Sequence, residues 1–294
     1  MRKVLKWVGI VMGVLVGVVI AAAMLLYFLG GARLNKTRQV QPLAMNIHND
    51  EEALARGEHL VKVACTSCHS DDLSGAPLLA DPAIGTVYAA NISGLGERRT
   101  DEELELAIRH GIGSGGRQLV IMPSDGFIHF SEQDLNAVIA YLKTVPRTGE
   151  DTPKPKLTPM GQIMLAAGLF GQIFPAEYID HEQPFHEMPE ISANLEYGEY
   201  LSRFCATCHG EDLSGKASAD PSGPIAPNLT PGGGLASWTE ADFIQTIRTG
   251  VTPHNYHLNP EYMPWKSFAK FDDNELQAIW MYLQSLPAKE MRFE

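Results

Sequence analysis

The sequence predicts a mainly α chain in which a single transmembrane helix precedes two tandem copies of one helical domain. Three observations carry that expectation. A 22-residue run near the amino end has no charge, a set of short motifs recurs at an offset of about 140 residues, and both copies show apolar spacing of helical period without alternating strands. At 294 residues, 45% apolar and 20% charged, the chain has room for two domains and the composition of a globular protein.

The uncharged run extends from Val8 to Leu29, after Arg2, Lys3 and Lys6 and with no acid in residues 1–32. It is long enough to cross a hydrocarbon core as a helix and longer than the apolar region of a cleaved leader. Gly31-Ala32 is the alternative, a cleavage point. The expectation is an uncleaved anchor over residues 1–32. The basic end stays in the cytoplasm and the body lies on the outer, periplasmic side of a bacterial inner membrane. Without the anchor, residues 33–294 hold 20 bases against 35 acids, a charge of −15. Such a surface repels phosphate backbones, which excludes a nucleic-acid partner. It suits a partner with a basic face, or simply keeps the body soluble.

The four cysteines form two Cys-x-x-Cys pairs, and each is followed at once by histidine: Cys65-Thr66-Ser67-Cys68-His69 and Cys205-Ala206-Thr207-Cys208-His209. This pentapeptide is the attachment signature of haem c. Thiols one helical turn apart reach the two vinyl groups of one porphyrin, and the adjacent histidine is placed beneath the ring to ligate iron. A four-cysteine zinc site would leave both histidines unexplained. A thioredoxin-like pair expects a βαβ setting that the sequence lacks. Two covalently bound haem c groups are therefore expected, on Cys65 and Cys68 and on Cys205 and Cys208. The fold expected is two tandem cytochrome c domains.

The repeat supports this. Gly57-Glu58-His59-Leu60 matches Gly198-Glu199-Tyr200-Leu201, and Asp72-Leu73-Ser74-Gly75 matches Asp212-Leu213-Ser214-Gly215. Ile108-Arg109-His110-Gly111 matches Ile247-Arg248-Thr249-Gly250. Met122-Pro123 matches Met263-Pro264, with Phe127 and Phe130 echoed by Phe268 and Phe271. The boundaries read as an anchor over 1–32, domain 1 over 50–147, a proline-rich linker over 148–190 and domain 2 over 191–290.

Each iron needs a second axial ligand. Met122 is the sole methionine between His69 and Met160, and Met263 holds the equivalent place in domain 2. Both stand directly before proline, about 54 residues past the motif histidine. Met281 sits in an apolar helical pattern and reads as core. Methionine is usually core filler, but its recurrence here points to ligation of iron, with axial pairs His69/Met122 and His209/Met263. A thioether favours ferrous iron and raises the potential, which suits electron transfer. His110 and His254 lie in Gly-rich loops and are the alternative ligands. His48, His59, His129, His181, His186 and His257 have no repeat support and receive no role.

Helices are expected over 51–63 and 190–203, leading into the haem motifs. Two more start at capping boxes, Thr100 to Glu103 and Thr239 to Asp242, and run to about His110 and Thr249. The last pair spans Ser131 to Leu142 and Asp272 to Leu283. Gly57 and Gly198 are expected to let the first and last helices of each unit cross closely, against Tyr141 and Tyr282. Trp238, Trp265 and Trp280 are expected to wall the second haem. The linker contains Pro153, Pro155, Pro159, Pro175, Pro184 and Pro189 around an apolar stretch, Ile163 to Phe170, too short to span a bilayer. Packing between the domains is the first expectation for it, followed by the membrane surface or a partner subunit.

The sequence resembles the multihaem cytochrome subunits of membrane-bound alcohol, aldehyde and gluconate dehydrogenases. The resemblance rests on Gly85-Thr86-Val87-Tyr88-Ala89-Ala90-Asn91-Ile92, on Asp101 to Gly111, on Met122-Pro123, and in domain 2 on Ala226-Pro227-Asn228-Leu229-Thr230, Trp238 to Phe243 and Met263-Pro264. It implies transfer of electrons from a dehydrogenase to quinone or a terminal acceptor, without catalytic residues in this chain; a tethered carrier between a quinol-oxidising complex and a terminal oxidase or reductase is the alternative. Members commonly have three haem domains, whereas this chain has two and an amino-terminal helix. The competing readings are a dihaem peroxidase, which needs one open iron, and a subunit that chiefly docks a dehydrogenase.

Overall fold

The computed structural model describes residues 2–217 and 223–291. Helix α1 (Arg2–Leu34) is about 50 Å long at 1.5 Å per residue, and it is long and apolar enough to cross a membrane. Its side chains are exposed over most of its length. Only at Gly30 and Leu34 does it become buried against the rest of the chain.

In domain 1, α2 (Glu51–Ala64) is capped by Asp50, whose carboxylate accepts from the Ala53 amide. A break at Cys65 separates it from α3 (Thr66–His69). Helix α4 (Asp101–His110) begins at the predicted capping box of Thr100 and Glu103 and stops at Gly111, whose φ of 65° ends the helix in the left-handed region. Helices α5 (Ser124–Phe127) and α6 (Glu132–Thr144) complete the unit, the second capped by Ser131. After the linker helix α7 (Pro159–Ala166), domain 2 repeats the series. It comprises α8 (Leu195–His209), α9 (Glu240–Thr249) behind the Thr239 and Asp242 capping box, α10 (Trp265–Phe268), and α11 (Asp273–Ser285) behind Asp272 and Glu275.

The close helix crossings occur as expected. A Cβ on Gly57 would lie 1.9 Å from the Ala137 carbonyl oxygen and 2.9 Å from Tyr141 Cβ. On Gly198 it would lie 2.0 Å from the Ala278 oxygen and 2.9 Å from Tyr282 Cβ. Only a residue without a side chain lets α2 meet α6, and α8 meet α11, at this distance.

Several expectations need correction. The helix expected over 190–203 spans 195–209, because Asn194 takes the cap and the turn continues through the haem motif. The last helices run on past Leu142 and Leu283, to Thr144 and Ser285. A small antiparallel sheet, β1 (Pro77–Asp81), β2 (Gly85–Tyr88) and β3 (Lys156–Leu157), was not anticipated. Its strands are too short to show alternation, and β3 joins β2 from the distant linker, pairing Gly85 with Leu157. Met281 lies on the solvent side of α11 rather than in the core.

The apolar linker stretch does not pack between the domains. It forms the second half of α7 and the turn after it, α7 lies against the end of α1, and Leu34, Leu157, Leu165 and Phe174 share a small core there. A Cβ on Gly30 would lie 1.9 Å from the Gln162 carbonyl oxygen. Arg33 donates to Glu177 at 2.8 Å and stacks over the Phe174 ring. The domains meet through their own helices, and one continuous core runs from Leu60, Leu135 and Ile139 to Leu201, Leu276 and Ile279.

Candidate haem sites

Each Cys-x-x-Cys-His motif sits on one helical turn. In domain 1 the His69 amide donates to the Cys65 carbonyl at 2.9 Å, and the imidazole is turned inward, 8% exposed. Its Nδ1–H donates to the Ala90 carbonyl at 2.7 Å. In domain 2 the His209 ring is 6% exposed and its Nδ1–H donates to the Pro227 carbonyl, also at 2.7 Å. Burial lowers the pKa of both imidazoles, partly opposed by these bonds, so the rings are neutral. A donor fixed at Nδ1 leaves Nε2 bare and aimed, the arrangement that orients a histidine toward a metal.

The loops that supply those carbonyls are themselves pinned. Asn91 donates to the Thr148 and Glu150 carbonyls at 2.6 and 3.0 Å and accepts from the Ser93 amide. Asn228 donates to the Lys289 carbonyl at 2.7 Å and accepts from the Thr230 amide and hydroxyl, both at 2.8 Å. The part these loops play behind the histidine was not read from sequence. The signal was available, since Ala90-Asn91 and Pro227-Asn228 are matching residues of the two copies. Among the described residues the four cysteines form no disulfide. Burial pushes Cys65 and Cys205 up to about 12.

The methionine loops match in backbone detail. Leu119 donates to the Gly111 carbonyl and Leu258 to that of Gly250, each at 2.7 Å. Ser124 donates to the Met122 carbonyl and Trp265 to that of Met263, at 2.8 and 2.7 Å. Met122 and Met263 are both half-buried against the common core. Of the alternative ligands, His110 is buried with Nε2 3.1 Å from Glu105 and Nδ1 3.0 Å from His181, whereas His254 is exposed. Trp265 lies on Gly250 and donates to the Leu258 carbonyl, Trp280 packs 5.6 Å from Phe243, and Trp238 borders the core.

The two sites adjoin across the domain interface. Thr66 of the first motif is 3.4 Å from Ser267, on the helix behind Met263, and Lys270 donates to both Thr66 and Asp71. Reciprocally, a Cβ on Gly126, behind Met122, would lie 2.9 Å from the Thr207 hydroxyl of the second motif. Burial raises Cys208, and the neighbouring charges of Asp125 and Cys68 add to it against Lys216. Each attachment motif thus abuts the other domain's methionine loop.

A polar network with approximate twofold symmetry holds this arrangement. Arg56 grips Asp134 with two bonds of 2.8 and 2.9 Å and also reaches Tyr197 and Glu275, at 3.0 and 3.2 Å. His59 Nε2 meets Glu275 at 2.7 Å, and Tyr200 donates to Asp134 at 2.7 Å. Arg56 and Tyr197, His59 and Tyr200, and Asp134 and Glu275 are repeat equivalents, all in the register of Met122 and Met263. Each domain's first helix therefore reaches the acid that opens the other domain's last helix, as in an isologous dimer. Burial opposes ionisation of Glu275, but the bonds from His59, the Asp272 backbone and Tyr197 outweigh it and leave its pKa lowered. Sequence reading gave His59 no role because its equivalent is tyrosine, although both residues serve the same contact.

The donor set of each domain fits a covalently held haem c: two unpaired thiols one turn apart, a histidine with only Nε2 free, and a thioether loop. Among proteins of known identity, the chain is 27% identical over 296 residues to the fructose dehydrogenase cytochrome subunit of Gluconobacter japonicus, covering 86% of this chain and 56% of that one. It is 28% identical over 279 residues to the cytochrome c subunit of the quinone alcohol dehydrogenase of Gluconacetobacter polyoxogenes, covering 83% and 58%. A diheme cytochrome c-type protein of Cereibacter sphaeroides matches at 28% over 127 residues, 37% of this chain and 43% of that one. The chain spans little more than half the length of the dehydrogenase subunits it matches. The family model for cytochrome c matches twice, over residues 54–146 and 196–287, and so covers both repeats. By its paired haem motifs and these matches the chain belongs to the cytochrome c family, as a haem-binding electron-transport protein.

Proposed function

We propose that this chain is a membrane-anchored dihaem cytochrome c that carries electrons between a dehydrogenase or quinol-oxidising complex and a downstream acceptor. One observation carries the reading. Both repeats combine a Cys-x-x-Cys-His turn, a buried histidine whose Nδ1 is already bonded to a carbonyl, and a methionine loop of the same backbone form.

In this reading Cys65 and Cys68 hold one haem and Cys205 and Cys208 the other, with His69/Met122 and His209/Met263 as axial pairs. When bound, each haem supplies a one-electron couple. The protein's part is to position and insulate it. The Ala90 and Pro227 carbonyls hold the rings and raise the basicity of Nε2. Met122 and Met263, packed against the shared core, would ligate the iron through their thioethers and so raise its potential. The interface network keeps the two motifs side by side, so electrons need not leave the chain to pass between them.

Residues 1–32 anchor the chain in the inner membrane, with Arg2, Lys3 and Lys6 on the cytoplasmic side and the domains, 50–147 and 191–290, in the periplasm. Arg33, Lys36 and Arg38 flank the other end of the helix, and the first two are tied to Glu177. The packing of Gly30 and Leu34 against the body supports a retained helix. The named relatives are cytochrome subunits of dehydrogenases, which supports a dehydrogenase as the partner.

The test is purification of the full-length chain in mild detergent, with covalent haem quantified and co-purifying chains identified by mass. Two haems with a stoichiometric dehydrogenase support an electron-accepting subunit. Two haems without a partner support a tethered carrier. One haem, or a high-spin iron that binds peroxide, overturns the model.

A further inference from the structure

Residues 157–176 form a second uncharged run, 20 residues from Leu157 to Ala176, in a body where one residue in five is charged. Only its inner side is core, where Leu157, Leu165 and Phe174 meet Leu34. It makes a helix and a turn whose inner side packs on the last turns of α1 and whose outer side is bare. Met160 is 56% exposed and Leu169 53%, and Ala167 and Gly168 between them are open to solvent.

Position gives this bare side a meaning. The apolar run of α1 leads directly into the turns on which α7 packs, closest at the Gly30–Gln162 approach, the Leu34 and Leu165 contact and the Arg33 bond to the Leu165 carbonyl. In a bilayer that α1 spans, α7 therefore lies beside the outer end of the apolar run. Around it stand bases, unusual for a body of charge −15. Arg33, Lys36 and Arg38 follow the helix, Arg117 pairs in a bridge with Thr37, and Lys156 opens β3 beside Leu157. No acid occurs before Asp50. Exposed apolar side chains near these bases, of which Arg33 and Lys36 pair with Glu177, match the boundary between acyl chains and anionic headgroups.

The same segment is bonded to the first haem site. The Ile121 amide donates to the Ile173 carbonyl at 2.8 Å, directly before Met122. Gln118 donates through its side chain to the Arg33 carbonyl at 3.0 Å, and Arg38 donates to the Gly116 carbonyl at 2.7 Å. The equivalent loop of domain 2 makes no such bonds among the described residues. There the Tyr262 amide turns back to Asn259, within its own loop.

We propose that the segment 159–171 lies in the interfacial layer of the bilayer that α1 spans, and that it holds the body with the Met122 loop toward the membrane and domain 2 away from it. The proposal rests on the anchor reading above. It assigns the first haem site to exchange with a membrane-embedded redox partner and the second to a partner in the aqueous phase.

The test uses the full-length haem-loaded protein in nanodiscs of phosphatidylcholine and phosphatidylglycerol. Single nitroxide labels are introduced through Leu15→Cys, Met160→Cys, Leu169→Cys and Tyr256→Cys, and their collisions with oxygen and with an aqueous nickel chelate are compared. Labels at 15, 160 and 169 are expected to meet oxygen several-fold more than the chelate, with the reverse at 256. A label at 15 in lipid with 160 and 169 as wet as 256 overturns the interfacial segment and leaves the anchor standing. A wet label at 15 overturns both. Labels at 160 and 169 shielded from both reagents mean that protein covers the segment, which also overturns the proposal.

Discussion

Domain 1 and domain 2 have the same helices, the same cap chemistry and the same histidine and methionine turns, yet their surroundings differ. Domain 1 is enclosed. The segment after α1, the small sheet and the linker all bond to it, and its methionine loop is tied to residues 173 and 33–38. Among the described residues, the backbone of the domain 2 methionine loop bonds only within its own domain. At one equivalent position of the repeat, domain 1 has His129, whose ring nitrogen lies 3.0 Å from that of His186, whereas domain 2 has Lys270, which reaches Asp71 and Thr66 of its neighbour. Duplication preserves what the cofactor and the shared face require. The outer surface, under no such demand, is where the copies take up different attachments.

The largest test of this comparison removes one site at a time. Cys65→Ala with Cys68→Ala should halve covalent haem, and so should Cys205→Ala with Cys208→Ala. The measure is haem per chain from the alkaline pyridine spectrum, and an unchanged count in either variant would sink the two-haem model. Met122→Ala and Met263→Ala should each lower one of two steps in a redox titration and leave the other in place. If both steps moved alike, the two sites would not be separable in this way.

The interface comes next. Arg56→Met leaves Asp134 and Glu275 buried without their cation and should lower stability by about 3–5 kcal/mol. Its repeat equivalent, Tyr197→Phe, removes the hydroxyl that accepts from Arg56 and donates to Glu275 and should lower it by about 2 kcal/mol. Denaturant melts of the haem-loaded protein compare them, and equal effects would mean that the network is less asymmetric in energy than in chemistry. Gly57→Val and Gly198→Val place carbon against a carbonyl 1.9 and 2.0 Å away, and each should destabilise by about 3 kcal/mol. A well-folded Gly57→Val protein with full haem would refute the close-crossing account for domain 1.

The smallest effect is pH-dependent and belongs to domain 1. Burial, then the charges of Arg203, His186 and Arg109, lowers His129 from 6.5 to about 4. Between those values the unfolded chain binds the proton and the folded one does not, so stability is full above pH 6.5 and falls as the pH drops toward 4. His129→Asn should flatten that slope in melts across about pH 4–7, while Lys270→Met in domain 2 should not.

Much of the fold and the site was readable from residues close together in the chain. A capping box is written within a single turn, and a haem motif within one pentapeptide. Gly57 and Tyr141 lie at opposite ends of their domain, but each has a counterpart in the second copy, so the repeat exposed the pair. What escaped reading was non-local and unmatched in residue type. The pairing of Arg56 with Asp134, Tyr197 and Glu275 joins four segments, and no local spacing announces it. The sheet was missed because its third strand is only Lys156–Leu157 and lies in the linker. The seat of α7 was misjudged because an apolar run says that a segment will be covered without saying by what.

By itself the sequence determined the cytochrome c family, the duplication and the presence of a helix long enough to span a membrane. Covalent attachment, axial ligation and helix capping all act over a few bonds or one turn, and such spacing is written directly in the order of residues. Only the tertiary structure decided that the two copies meet face to face, that the carbonyls of Ala90 and Pro227 hold the buried histidines, and that α7 rests on the end of α1. Those outcomes depend on which surfaces bury one another, a competition among distant segments that is resolved only when the whole chain has packed.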